Sequence, residues 1–151
     1  MKKVLIMVTM FLLVISTMEA KKFDFGFLKG IKFGMAKAQL EKLLKEEKIK
    51  YEIKNNGNAG KFWIVEIDTT FQNSKISELR IGLKNSKINV IGIYFDSSNI
   101  GFDNYLDKIC NCTFYYEEGD VTNYYFDNCT IGLYTTENNL FIFPTITKCD
   151  D

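Results

Sequence analysis

The sequence predicts an α+β fold in which a single twisted antiparallel β-sheet has two helices packed on one face. Two segments space their apolar residues as amphipathic helices do, and most of the remaining chain consists of short apolar runs separated by turn residues. The 151 residues suffice for one ordinary domain, and 46% hydrophobic and 15% aromatic residues supply a packed core. We therefore expect a single α+β domain over residues 21–151.

Both helices are predicted from the spacing of apolar residues. The first is expected over residues 35–48, with apolar side chains at Ala36, Leu40, Leu43 and Leu44 and with lysines and glutamates on the opposite side. The second is expected over residues 101–109, where one side is formed by Phe102, Tyr105, Leu106 and Ile109. Each helix therefore has an apolar face that can cover a sheet.

The strands are predicted from apolar runs bounded by turn residues. We expect strands at residues 50–54, 62–71, 78–84, 88–95, 113–117, 121–126, 130–135 and 140–143. Residues 88–95 are apolar on both faces, which is typical of a central strand. Near the start, Phe23, Phe25 and Phe27 alternate with Asp24 and Gly26, which predicts an edge strand or an extended lead-in with its aromatic face on the core.

Residues 1–20 have the composition of a signal peptide. Lys2 and Lys3 precede an apolar stretch, and small residues lie near a cleavage point after Ala20. An uncleaved membrane anchor is the alternative, but the 14 residues from 4 to 17 are fewer than the roughly 20 needed to span a bilayer. We therefore expect a periplasmic or secreted protein with no stable membrane insertion after cleavage.

The charge of the chain argues against nucleic acid as a partner. Without residues 1–20 the chain has 17 basic and 18 acidic side chains, a net charge of −1. Binding to nucleic acid or to anionic lipid normally requires a basic excess or a basic patch. Lysines are frequent between residues 37 and 54, but glutamates are interleaved with them, so we interpret this stretch as a solvated helix face.

All four cysteines, Cys110, Cys112, Cys129 and Cys149, lie in the last third of the chain. An even number of cysteines in an exported chain predicts two disulfides. Cys110 and Cys112 are too close to bridge each other comfortably, so we expect one to pair with Cys129 and the other with Cys149, in either arrangement. Free thiols or a metal site are alternatives, but the spacing is a poor match to zinc ligands and the chain has no histidine.

The sequence has no recognisable catalytic site. The chain has no histidine, which is the commonest general base, and it has no glycine-rich phosphate-binding loop. A carboxylate pair supports glycoside hydrolysis in other proteins, and the candidates by residue type are Asp68, Asp96, Asp103, Asp107, Glu117, Glu118 and Asp120. Their spacing selects no pair, so we expect no enzyme activity, no catalytic residues, no metal and no cofactor.

Four tyrosines, Tyr115, Tyr116, Tyr124 and Tyr125, flank a hairpin signal at Glu118 and Gly119. Strand alternation places one tyrosine of each adjacent pair on each face, so one pair is expected to face solvent. Exposed tyrosines supply rigid contact area for a partner, whereas ordinary cross-strand packing is the alternative. We take these tyrosines and Trp63 as candidate binding residues.

The segment that enters the first helix carries a family resemblance. Its Gly-Met pair and the following helix, through Phe33, Gly34, Met35, Gln39, Leu40, Leu43 and Leu44, resemble small exported bacterial proteins of the β-lactamase-inhibitor-like or BamE/SmpA-like α+β fold. The resemblance implies a protein-binding or envelope-associated module rather than a catalyst.

Together these observations predict a non-enzymatic interaction module of the bacterial envelope. Its partner is expected to be another envelope or secreted protein, contacted through the exposed tyrosines. The alternative is a carrier that holds a small apolar ligand on the concave face of the sheet, in a cavity lined from Trp63, Ile91, Ile93 and Phe95.

Overall fold

The computed structural model describes residues 21–55, 60–96, 101–116, 119–134 and 139–144. These residues form two α-helices, α1 (Lys37–Glu46) and α2 (Phe102–Ile109), and a short 3-10 helix at Gly26–Leu28. Their strands are β1 (Tyr51–Asn55), β2 (Lys61–Val65), β3 (Thr70–Phe71), β4 (Ser74–Lys84), β5 (Lys87–Phe95), β6 (Cys112–Tyr116), β7 (Val121–Tyr125), β8 (Thr130–Tyr134) and β9 (Asn139–Phe143). The predicted α+β class is confirmed.

The strands form one open antiparallel sheet. Its order is β1-β2-β4-β5-β9-β8-β7-β6, and β3 pairs with β4 beside this path. Every one of these pairings is antiparallel. β5 lies in the middle, between β4 and β9, which confirms the predicted central position of residues 88–95.

The element order repeats once along the chain, although we find no matching repeat in the sequence. α1 precedes β1, β2, β4 and β5, and α2 precedes β6, β7, β8 and β9. In the sheet, the strands of the second half follow in reverse order, so the last strands of the two halves, β5 and β9, pair with each other. Ile91 is opposite Ile142 and Ile93 is opposite Leu140 in this pair. Each half is thus a helix followed by a four-stranded meander.

The apolar core lies on one face of the sheet, which we call the core face. One row of paired residues crosses five strands, and each is at most 4% exposed: Val65, Leu79, Ile93, Leu140 and Leu133. The helix residues Leu40, Leu44, Phe102 and Leu106 belong to the same apolar cluster. Burying side chains of this size contributes about 1.5–3 kcal/mol each, so this cluster supplies much of the driving force for folding.

Backbone hydrogen bonds fix the entry to α1. The Gly34 N–H donates to the Ile88 carbonyl over 3.0 Å, and the Ile88 N–H donates to the Met35 carbonyl over 2.9 Å. The Lys37 N–H donates to the Ser86 carbonyl over 3.0 Å. Because residues 34–37 pair with the start of β5 in this way, α1 begins two residues later than predicted.

Two tight turns reverse the chain at turn residues that follow β3 and β4. Asn85 and Ser86 connect β4 to β5 with φ values of 52° and 60°, and Gln72 and Asn73 connect β3 to β4 with 48° and 63°. Positive φ at both central residues characterises the type I′ hairpin, whose twist matches that of the strands.

Two predicted strands differ in the structure. The lead-in is not an edge strand, since the Asp24 carboxylate accepts the Gly26 N–H over 2.8 Å and the chain turns into the 3-10 helix. Phe23 still packs on the core, 5.3 Å from Phe126 between ring centroids. The predicted strand 62–71 is divided into β2 and β3, because the chain leaves β1 after Glu66 and folds back on β4.

Candidate functional site

The hairpin of β6 and β7 separates the four candidate tyrosines as strand alternation predicts. Tyr115 is opposite Thr122 and Tyr124 is opposite Thr113 on one face, whereas Tyr116 and Tyr125 belong to the other. Tyr124 is buried, Tyr115 is 52% exposed and Tyr125 is partly buried. The side chain of Tyr116 lies outside the described part of the structure. The tyrosines therefore form no single surface.

Trp63 is a core residue rather than a contact residue. Its side chain is 3% exposed on the core face, and Lys37 places its Nζ atom 5.7 Å from the ring centroid. The indole Nε1 is buried, and no residue in the described part of the chain is its hydrogen-bond partner. A partner protein cannot reach Trp63 while this face is packed.

The cysteines depart from the expected two disulfides. Cys110 and Cys129 are buried free thiols, so the expected bridge to Cys129 is wrong. Cys110 follows α2 and comes just before β6, and its Sγ lies 3.6 Å from the Asp107 carbonyl. Cys129 lies between β7 and β8, where its carbonyl accepts the Phe126 N–H. Cys112 is disulfide-bonded, and Cys149 lies outside the described residues.

Burial makes both free thiols poor nucleophiles. It raises the pKa of Cys110, and the nearby Asp107 carboxylate adds to this effect. Burial alone raises the pKa of Cys129 from 9.0 to about 12. Since the thiolate is the reactive form, neither side chain is suited to redox catalysis.

The face of the sheet opposite the core face carries a different set of side chains. We call it the aromatic face and define it by Phe62, Arg80, Tyr94, Tyr134 and Phe141. Tyr94 and Phe141 meet edge to face with ring centroids 5.9 Å apart, and Phe141 meets Tyr134 in the same manner at 5.2 Å. The aromatic contacts thus extend from β5 through β9 to β8.

Arg80 lies at the centre of this face. Its guanidinium carbon is 4.0 Å from the Tyr94 ring centroid, and its Nε donates to Glu78 Oε1 over 2.6 Å. Guanidinium groups stack favourably on aromatic rings. The Arg80 side chain is 44% exposed and the Glu78 side chain 27%, so solvent screens this pair and its main effect is to hold the guanidinium in place.

Glycines on two neighbouring strands allow the side chains of this face to lie close to the sheet. A Cβ atom at Gly82 would lie 2.5 Å from Val90 Cγ1. A Cβ atom at Gly92 would lie 3.0 Å from the ring of Phe141 and 3.3 Å from that of Tyr94. Val90 and Phe141 thus occupy the space above the glycines and shape what remains beside Arg80.

The space that remains is an open groove of about 350 Å³. Its charged lining residues are Lys61 and Arg80, and no acidic residue of the described chain lines it. Its apolar walls come from Phe62, Val90 and Phe141. Aromatic walls beside a fixed cation are suited to the recognition of a ligand.

The acidic residues considered for catalysis do not lie at this groove. Asp68, Asp96, Asp103 and Asp107 are exposed to solvent, Asp120 is partly buried, and none of them lines the groove. Glu117 and Glu118 lie outside the described residues. In the described part of the chain, no three His, Cys, Asp or Glu side chains are grouped so that they could hold a metal ion.

No helix within the described ranges is both long enough and apolar enough to cross a membrane. Comparison of the chain with known protein families, with curated proteins and with solved structures finds no match. The likeness to inhibitor-like and BamE/SmpA-like proteins therefore stays a prediction, and the candidate site rests on its own geometry.

Sequence reasoning missed the groove. It used the alternation of Leu79, Ile81 and Leu83 to identify a half-buried strand, and the intervening residues, Arg80 and Gly82, belong to the aromatic face. The available signal for the groove was an arginine and a glycine that alternate with buried residues. The next strand along the chain contains Gly92 and Tyr94. Phe141 could be assigned to the groove only once the pairing of β5 with β9 was known.

Proposed function

We propose that this protein is an exported, non-enzymatic binding module that uses the aromatic face of its sheet to contact another envelope or secreted protein. The observation that carries the proposal is the groove beside Arg80. Phe62, Tyr94 and Phe141 are only partly buried there, whereas the paired residues of the core face are almost completely buried. Aromatic and arginine side chains are enriched at the centres of protein interfaces.

The proposal includes the packing of both helices on the core face. Its support is that Leu40 and Leu44 of α1 and Phe102 and Leu106 of α2 join one cluster with core-face strand residues. Helices placed on that face leave the opposite face of the sheet for a partner.

Export is the second component of the proposal. It rests on the composition of residues 1–20, which lie outside the described residues. The disulfide at Cys112 supports it, because disulfides persist mainly in oxidising compartments.

Carriage of a small ligand is the alternative function. Its expected cavity beside Trp63, Ile91 and Ile93 does not fit, since these side chains are buried in the core and do not line the groove. A small ligand would instead use the groove, whose volume of about 350 Å³ is at the lower end of the range for small-molecule sites, about 300–1,000 Å³.

Site-specific photo-crosslinking in the producing cell tests the proposal. A photoreactive phenylalanine analogue at position 62 reports on the aromatic face, and the same analogue at Lys42, whose side chain is 75% exposed on α1, is the matched control. We expect a discrete protein adduct from position 62 and none from position 42. Adducts of equal yield from both positions, or none from position 62, would refute the aromatic face as the contact surface.

A further inference from the structure

The groove beside Arg80 combines a fixed cation with apolar walls. Arg80 is opposite Ile64 on one side and Gly92 on the other, and Gly92 is opposite Phe141. Gly92 has no side chain, so the rings of Tyr94 and Phe141 lie over it, and Tyr94 also stacks with the guanidinium. A ligand in the groove therefore contacts the arginine and the aromatic wall together.

The guanidinium retains donors for a ligand. A guanidinium has five N–H donors in a planar fork. One of them, at Nε, is used by Glu78, and Tyr94 is a second hydrogen-bond partner of the side chain, with its ring 4.0 Å from the guanidinium carbon. These two contacts restrict the side chain without using the whole fork. An arginine fixed in advance loses less conformational freedom on binding than a mobile one.

The charges of the site favour an anion. Lys61 and Arg80 are the charged residues that line the groove, and Glu78 neutralises one of these positive charges. Two cations and one carboxylate leave the site with a net charge of about +1. A planar carboxylate matches the arginine fork, and charge-assisted pairs of this kind are among the stronger hydrogen bonds.

The extent of the aromatic face favours a peptide segment over a small molecule. Beyond the groove, Phe141 continues the aromatic contacts to Tyr134 on β8. A small carboxylate would fill the groove and leave this extension unused, whereas a peptide with an apolar residue beside its acidic residue covers both parts.

We infer that the groove recognises an acidic side chain flanked by an aromatic or aliphatic residue in a segment of the partner protein. This inference rests on the proposed binding function and specifies the chemistry of its contact. Arg80 binds the carboxylate, Lys61 adds to the attraction, and Phe62 and Phe141 contact the apolar neighbour.

The first test is titration of the exported protein, labelled with ¹⁵N, with a capped tripeptide of phenylalanine, aspartate and leucine. Its matched control is the same peptide with asparagine in place of aspartate. We expect the amide signals of Gly82 and Gly92 to shift, with binding weakened about tenfold or more by the asparagine peptide and by Arg80→Gln. Glu78→Gln is expected to bind at least as tightly as the wild type, since it removes the competing carboxylate.

Three outcomes would overturn the inference. The first is that the aspartate and asparagine peptides bind equally well, and the second is that Arg80→Gln binds the aspartate peptide as tightly as the wild type does. The third is that 3-phenylpropionate binds more tightly than the tripeptide, which would assign the groove to small carboxylates. The crosslinking experiment separates this result from the proposed function. If the adduct from position 62 forms but survives Arg80→Gln undiminished, the contact surface stands and the carboxylate assignment fails.

Discussion

The ring of Phe141 lies over Gly92, so close that a Cβ atom at position 92 would meet it at 3.0 Å. The two residues face each other across the junction of the two halves of the sheet. The glycine therefore does two things: it admits the aromatic ring at the centre of the sheet, and it leaves the groove beside Arg80 open. A phenylalanine packed over a cross-strand glycine recovers some of the packing that the glycine lacks.

Gly92→Ala is expected to displace Phe141 and to narrow the groove. The cost should be about 1–3 kcal/mol of unfolding free energy, because the added methyl group overpacks a position with aromatic rings on both sides. Urea denaturation measures this. Gly132→Ala is the matched control, since its Cβ atom would meet the amide oxygen of Asn123 at 3.2 Å, the end of a side chain that is able to move. A loss for Gly132→Ala as large as that for Gly92→Ala would contradict the argument.

The alternation of apolar residues was enough to predict the class of the fold and most of its strands. Leu79, Ile81 and Leu83 identified a half-buried strand, because burial on one face gives apolar residues at every second position. Residues 88–95 identified the central strand, because burial on both faces gives a continuous apolar run. The edge strand considered for the lead-in does not form, because the short-range hydrogen bond from Gly26 to Asp24 turns the chain, although its phenylalanines pack on the core as predicted.

The candidate site could not be predicted from the sequence, for a different reason. Phe62, Arg80 and Phe141 come from three strands, and only the register places them around one groove. The tyrosines attracted attention because they are adjacent in sequence, yet alternation separates them and buries Tyr124. Side chains that line a sheet surface are brought together by pairing and not by proximity along the chain.

Thr130→Val is expected to stabilise the protein. The Thr130 hydroxyl oxygen is buried and has no hydrogen-bond partner among the described residues, and the residue is 9% exposed. Replacing a buried unpaired hydroxyl by a methyl group of similar shape removes a desolvation cost and should raise the unfolding free energy by about 1 kcal/mol. Thermal or urea unfolding measures the change. Thr130→Ser, which keeps the hydroxyl and loses the methyl group, should lower stability. A Thr130→Val variant less stable than the wild type would show that the hydroxyl makes a hydrogen bond.

Thiol labelling should distinguish three cysteines by their environment. Cys110 and Cys129 are free but buried, so iodoacetamide should modify neither rapidly in the folded protein and both after unfolding. Cys112 should react only after reduction, because it is disulfide-bonded. Intact mass before and after each step counts the modified sites. Modification of Cys110 or Cys129 in the folded protein as fast as in the unfolded chain would contradict their burial.

Stability should fall in alkaline solution as buried groups ionise. Burial raises the pKa of Tyr124 from 10.0 to about 12, with a further contribution from Asp103 and Asp107, and burial raises the pKa of Cys129 from 9.0 to about 12. The folded protein thus holds these protons more tightly than the unfolded chain does. Their contribution to stability is complete below the pKa of the unfolded thiol and is lost as the pH rises towards 12.

Urea denaturation at pH values of about 8, 10 and 11 measures this loss of unfolding free energy. Tyr124→Phe keeps the ring in the core and Cys129→Ala removes the thiol, so each variant should lose less stability between these pH values than the wild type does. The comparison uses the change with pH within each variant, and therefore does not depend on any packing cost of the substitution itself. Variants that lose as much stability as the wild type over this range would show that neither group is responsible for the alkaline loss.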